Sequence, residues 1–102
     1  MNERVARCLL LARVLAADGF MTDAERAVLD EAMATSALDD DERRLVSDLD
    51  RMTEAEDTVR ALPETARRAL VDELIAAALA DGRLSPHETK TVAAISTAIG
   101  LG

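Results

Sequence analysis

The sequence predicts an all-α fold, a compact bundle of about six helices that forms a single domain over residues 1–102. The chain is rich in Ala and contains one Phe, no Tyr and no Trp. Ala is the strongest helix former, and the β-branched and aromatic residues that favour strands are sparse. Apolar residues recur at helical spacing, and signals that start or stop helices separate these runs.

The first two helices flank an acidic turn. The first is predicted over Glu3–Ala17, with Gly19 as the left-handed residue that ends it. The second is predicted to start after Thr22, because Glu25 lies three residues further on and completes a capping box. This helix is expected to become irregular at the sequence TSAL.

The middle of the chain predicts two shorter helices. Asp39 and Glu42 form a second capping box, which starts the third helix. Thr53 and Glu56 have the same spacing and predict the start of the fourth helix. Pro63 disfavours helical geometry in the residue before it, so the fourth helix should stop there.

The last two helices flank a second acidic turn. The fifth is predicted to start at Pro63 and to end at Gly82. The sixth is predicted to start after Ser85, because Glu88 completes a further capping box, and to end at Gly100.

Charge and cysteine content exclude several classes of function. The formal net charge is −8, so we expect no nucleic-acid partner and no binding to anionic membranes. Cys8 is the only cysteine and is predicted to be a buried apolar residue, so no internal disulfide is possible. The apolar run near the N-terminus is too short and too charged for a signal peptide or a membrane span. We therefore expect a cytoplasmic protein.

A nine-residue sequence occurs twice. ADGFMTDAE at residues 17–25 returns as ADGRLSPHE at residues 80–88, an offset of 63 positions. The same offset relates further pairs on either side, namely Leu11 with Leu74 and Leu38 with Leu101. The sequence therefore predicts two related helix-turn-helix units with a section inserted between them.

Neither acidic turn is an EF-hand loop. Asp18, Gly19 and Glu25 fit the end of the EF-hand pattern, but Val14 and Ala16 occupy its first two ligand positions. A helix-ending Gly followed by a capping box would account for each turn without a ligand.

A shared metal site is the sharper hypothesis for these turns. Glu25 and Glu88 lie on the apolar stripes of their helices, and Asp18 and Asp81 extend the stripes before them. Carboxylates near a core are costly unless they are paired, protonated or bound to a cation. If the turns pack together, these four residues would offer oxygen ligands suited to calcium, magnesium or manganese, or an acidic surface for a basic protein partner. The alternative is a protein-interaction or homodimerisation module in which the acidic turns are only helix caps.

No enzyme is predicted. His87 is the only histidine, and the equivalent position in the first turn is Ala24. It is expected to be an exposed residue, because a single His rarely makes a metal site. One His and one Cys on separate helices do not indicate a nucleophilic centre.

The sequences VLAADGFMTDAERAVLDEA and AALADGRLSPHETKTVAAI resemble the TerB-like, tellurite-resistance family, whose relatives include the N-terminal domain of DjlA-type co-chaperones. The resemblance covers nearly the whole chain. It implies an all-helical bundle with an acidic or metal-binding site at Asp18, Glu25, Asp81 and Glu88. It also implies a non-catalytic role in the response to tellurite and chemical stress, as a scaffold or ion-sensing partner of membrane-linked proteins.

Overall fold

The first helix of the chain forms the centre of the molecule. In the computed structural model, which describes residues 1–79 and 85–101, α1 (Glu3–Leu15) has nine buried residues. All five other α-helices pack against it. The side chain of Asn2 starts α1 by accepting a hydrogen bond from the Val5 N–H at 2.9 Å. The apolar surface of α1 is therefore covered by helices that follow it in the chain.

The all-α prediction is confirmed. Residues 1–79 and 85–101 contain six α-helices and no strand. In chain order after α1 they are α2 (Asp23–Thr35), α3 (Asp40–Val46), α4 (Met52–Arg60), α5 (Glu64–Ala78) and α6 (Pro86–Ala98). A short 3₁₀ turn, Leu49–Arg51, precedes α4.

One predicted helix end differs from the structure, and another is not tested by it. Helix α1 ends at Leu15 rather than Ala17, because the chain tightens there: the Gly19 N–H donates to the Ala16 carbonyl at 3.0 Å. Gly19 itself has a φ of 96°, as its predicted left-handed role requires. The chain around Gly82, the predicted end of the fifth helix, lies outside the described residues.

The start of α4 also differs from the prediction. No side chain caps this helix, which follows the 3₁₀ turn directly at Met52. The predicted capping box of Thr53 and Glu56 does not form. Glu56 instead pairs with Arg13 of α1, with Nη1 and Oε2 separated by 3.4 Å. The Glu56 carboxylate, which the sequence pattern assigned to the cap of α4, therefore forms an ion pair with another helix instead.

The sequence repeat is also a structural repeat. From the start of α2 to the start of α6, and from the end of α2 to the end of α6, the distance is 63 positions in each case. Helices α1 and α5 end 63 positions apart as well, at Leu15 and Ala78. The prediction of two related helix-turn-helix units is confirmed to this extent.

The two repeats end with the same hydrogen-bond pattern. After α2, the Leu38 N–H donates to the Met33 carbonyl at 3.1 Å; after α6, the Leu101 N–H donates to the Ser96 carbonyl at 2.9 Å. This bond marks a Schellman motif, which needs a left-handed residue before the donor. That residue is Ala37 in the first repeat and Gly100 in the second, with φ values of 54° and 86°.

Arginine side chains stabilise the C-terminal end of α6. Arg60 donates from Nε and Nη2 to the Ala98 carbonyl, at 3.0 and 2.6 Å. Arg67 donates from Nη1 to the Ile99 carbonyl at 2.8 Å. Cationic groups at this end of a helix also interact favourably with its dipole. Helices α4 and α5 are thereby fastened to the end of α6.

Candidate functional site

The first acidic turn connects α1 to α2. The Thr22 hydroxyl accepts a hydrogen bond from the Glu25 N–H at 3.1 Å, and Glu25 Oε1 accepts one from the Thr22 N–H at 3.0 Å. Glu25 is only 7% exposed. The predicted capping box is confirmed, and the same carboxylate lies at the edge of the core, as the apolar stripe indicated.

The second acidic turn repeats this arrangement at the start of α6. The Ser85 hydroxyl accepts from the Glu88 N–H at 3.1 Å, and Glu88 Oε1 accepts from the Ser85 N–H at 3.1 Å. Glu88 is 2% exposed. Asp81, the fourth predicted ligand, lies outside the described residues.

The second carboxylate oxygen of Glu88 differs from the first. Oε2 is buried, and no hydrogen-bond donor among the described residues reaches it. An unpaired buried polar group is costly, and more so when it carries charge. Glu88 Oε2 is therefore a buried polar atom that needs a further donor or a cation.

The two turns are in direct contact. Ser85 Oγ donates a hydrogen bond to Asp18 Oδ1 over 3.2 Å, which links the helix start of one repeat to the turn of the other. The sequence did not predict this bond, because the same hydroxyl already has a local role as the cap of α6. The doubled motif was the only available signal, since it suggested that the turns pack together.

Asp18 does not extend the apolar stripe of α1. Its side chain is exposed, because α1 ends at Leu15 and the chain has left helical geometry before it reaches Asp18. The expectation that Asp18 points along the stripe was wrong. The turn nevertheless holds the Asp18 carboxylate against the second repeat through Ser85.

The described residues do not complete a metal centre by themselves. Across 1–79 and 85–101, no three His, Cys, Asp or Glu side chains are grouped closely enough to hold an ion. The chemistry of the residues still fits a hard cation, because the unpartnered atom is the carboxylate oxygen Glu88 Oε2. Asp18 and Glu25 belong to the adjoining turn.

The single histidine and cysteine occupy the environments that the sequence predicted. His87 is exposed in the first turn of α6. Cys8 is 3% exposed, and its burial raises the pKa of the thiol above the usual 9.0. A raised pKa keeps the thiol protonated and unreactive at neutral pH.

The fold and these turns define a class of small all-helical domain with paired acidic turns. Residues 4–102 match the family described as tellurite resistance protein TerB, and the chain belongs to that family. No curated protein and no solved structure matches the chain.

None of the described helices has the length and apolar character needed to cross a membrane.

Proposed function

We propose that this protein is a non-enzymatic, cytoplasmic domain of the tellurite and chemical-stress response that binds a divalent cation between its two acidic turns. Calcium, magnesium and manganese are the ions that suit an all-oxygen ligand set. Membership of the TerB family supports the tellurite-resistance role.

The observation that carries the cation proposal is the buried, unpartnered oxygen of Glu88. The hydrogen bond from Ser85 to Asp18 supports it, because it brings a carboxylate of the first turn to the start of α6. In the proposed site Glu88 and Asp18 are ligands, Glu25 lies in the adjoining turn, and Asp81 supplies the further carboxylate.

A second candidate function is a protein-interaction or homodimerisation module in which the turns are only caps. One observation favours it: Glu25 and Glu88 both use Oε1 in a capping box, as does Glu42 at the start of α3. A basic partner, including one beside a membrane, would then bind the acidic surface without an ion.

Thermal unfolding with added ions separates these functions. The protein is freed of metal with a chelator, and its melting temperature is measured against increasing free calcium, magnesium or manganese. An ion that binds only the folded state stabilises it by about 2.7 kcal/mol at one hundred times Kd. For a domain of this size that corresponds to a rise of about 10–20 °C.

Glu88→Gln is the decisive variant. Gln retains an oxygen that can accept from the Ser85 N–H but removes the charge that a cation requires. We expect Glu88→Gln to abolish the rise in melting temperature. Glu42→Gln is the matched control, because Glu42 completes the same kind of capping box but lies away from the paired turns, where its Oε2 accepts from Asn2 at 2.6 Å.

The control variant should keep the full response to the ion. The cation site would be excluded if none of the three ions raised the melting temperature of the native protein. It would also be excluded if Glu88→Gln and Glu42→Gln reduced that rise equally. Either result would leave the interaction module.

A further inference from the structure

A groove of about 500 Å³ is lined by residues other than those of the paired turns. Its floor is formed by Cys8 and Leu11 of α1, both of which are buried. Helices α2 and α5 both pack on α1 and form the two walls. We propose that this groove binds an amphipathic helix of a partner protein, one with an apolar stripe flanked by Lys or Arg.

The groove has apolar side chains on both walls, next to polar and charged residues. Val28 and Ala32 line it from α2, and Ala77 lines it from α5. All three are half-buried side chains that pack against the core on one side. Small residues on both walls leave room for larger apolar side chains from a partner, which would complete the packing of these exposed faces.

The length of the groove matches a helix. Its α2 wall extends from Val28 to Thr35 and its α5 wall from Leu70 to Ala77, seven steps in each helix. At 1.5 Å per residue, each wall is about 10 Å long. A helix that presents anchors at i, i+3, i+4 and i+7 covers the same length and binds other proteins in grooves of this kind.

The charges around the groove select a basic partner. The wall segments 28–35 and 70–77 contain four acidic residues, namely Asp30, Glu31, Asp72 and Glu73, and no Lys, Arg or His. Arg7 on the floor is already paired with Glu73 and, at 3.7 Å, with Glu3. No described cationic side chain pairs with Glu31. Glu31 and Glu73 line the groove, so Lys or Arg beside the apolar stripe of a bound helix would meet these two carboxylates.

The test uses a synthetic helical peptide of about 15 residues, the length at which an isolated helix becomes marginally stable. It carries Leu at i, i+3, i+4 and i+7 and Lys at the flanking positions. A second peptide has Glu in place of Lys. Binding to the whole protein is measured by fluorescence anisotropy, and the contacted residues are mapped from NMR chemical shifts.

We expect the Lys peptide to bind at least about tenfold more tightly than the Glu peptide, with shift changes concentrated along the walls of the groove. Ala32→Trp fills the groove from α2 and should weaken binding at least about tenfold. Ala77→Trp fills the groove from α5 and should weaken binding to a similar extent. With two such variants, the test remains valid if one of them unfolds. Circular dichroism would show whether either variant has unfolded.

The electrostatic contribution needs a matched pair of variants. Glu31→Lys should weaken binding of the Lys peptide by about 3- to 10-fold. Asp50→Lys changes the net charge equally, but Asp50 is exposed on the 3₁₀ turn and does not line the groove. It should leave binding almost unchanged.

Several results would overturn the proposal: no binding of the Lys peptide, equal binding of both peptides, or binding that survives both Trp variants. A dimer in analytical ultracentrifugation that Ala32→Trp converts to a monomer would also overturn it, because a second copy would then occupy the groove. The cation proposal is tested separately, since Glu88→Gln should not alter peptide binding.

Discussion

Ala37 and Gly100 occupy equivalent positions, each as the left-handed residue that ends a helix, yet they differ in conformational cost. A left-handed conformation brings the Cβ of Ala close to the following carbonyl oxygen, whereas Gly has no Cβ. The Schellman motif after α2 therefore forms in spite of its sequence. The bond from Leu38 and the burial of that side chain, which is 6% exposed, offset the cost.

The separate substitutions Ala37→Gly and Gly100→Ala should change the free energy of unfolding in opposite directions. We expect Ala37→Gly to raise the free energy of unfolding by about 0.5–1 kcal/mol, because relief of the strained φ exceeds the extra freedom of Gly in the unfolded chain. Gly100→Ala should lower it by about 1–2 kcal/mol. The added Cβ would also lie 2.9 Å from Arg67 Nη1. Urea denaturation of both variants provides the measurement, and a gain in the second would contradict the argument.

At the scale of the helices, prediction was reliable where a side chain starts the helix. The capping boxes of α2, α3 and α6 were all predicted from sequence and are present. The position of α4 was predicted to within about two residues, but its predicted capping box was wrong, because no side chain caps this helix. Its start follows from the preceding 3₁₀ turn and from the pairing of Glu56 with Arg13, a contact between residues 43 positions apart. A local pattern carries no information about such a contact.

The caps of α2 and α6 make an internal comparison possible. Thr22→Ala should lower the free energy of unfolding by about 1 kcal/mol, the usual cost of a lost N-cap. Ser85→Ala should cost about 0.5–1.5 kcal/mol more, because Ser85 also donates to Asp18. The difference should disappear when both are measured in an Asp18→Ala background. If Ser85→Ala and Thr22→Ala cost the same in the native background, the bond between the turns contributes nothing to stability.

At the scale of the whole molecule, the repeat did not reveal which helix is central. The two units are similar in sequence, so either α1 or α5 could have occupied the middle. In the structure α1 has nine buried residues and α5 has three. The apolar run on both sides of Leu9 was a signal of this difference, because a helix that is apolar nearly all round is buried. Asp81 stays a predicted ligand. The sequence did not predict that Glu88 Oε2 lacks a hydrogen-bond donor, because this depends on tertiary packing, which the spacing of apolar residues does not reveal.

Shortening a buried side chain of α1 should therefore lower the free energy of unfolding far more than shortening an exposed side chain. Leu10 is fully buried, and we expect Leu10→Ala to lower the free energy of unfolding by about 2–5 kcal/mol. Leu79 is 45% exposed just after α5, so Leu79→Ala should change it by less than about 0.5 kcal/mol. Calorimetry of both variants would show the contrast. Similar melting temperatures for the two would mean that α1 is not the centre of the core.

The central position of α1 also has a consequence for biosynthesis. The ribosome makes this helix before every helix that covers it, and 45 further residues separate Leu15 from Arg60 at the end of α4. At about 5–20 residues per second, the helix waits about 2–9 s for α4 to be completed. During that time α2 and α3 can pack against α1, but the surface that α4, α5 and α6 cover in the native fold has no native partner. Apolar surface that is exposed in this way before folding is complete favours aggregation.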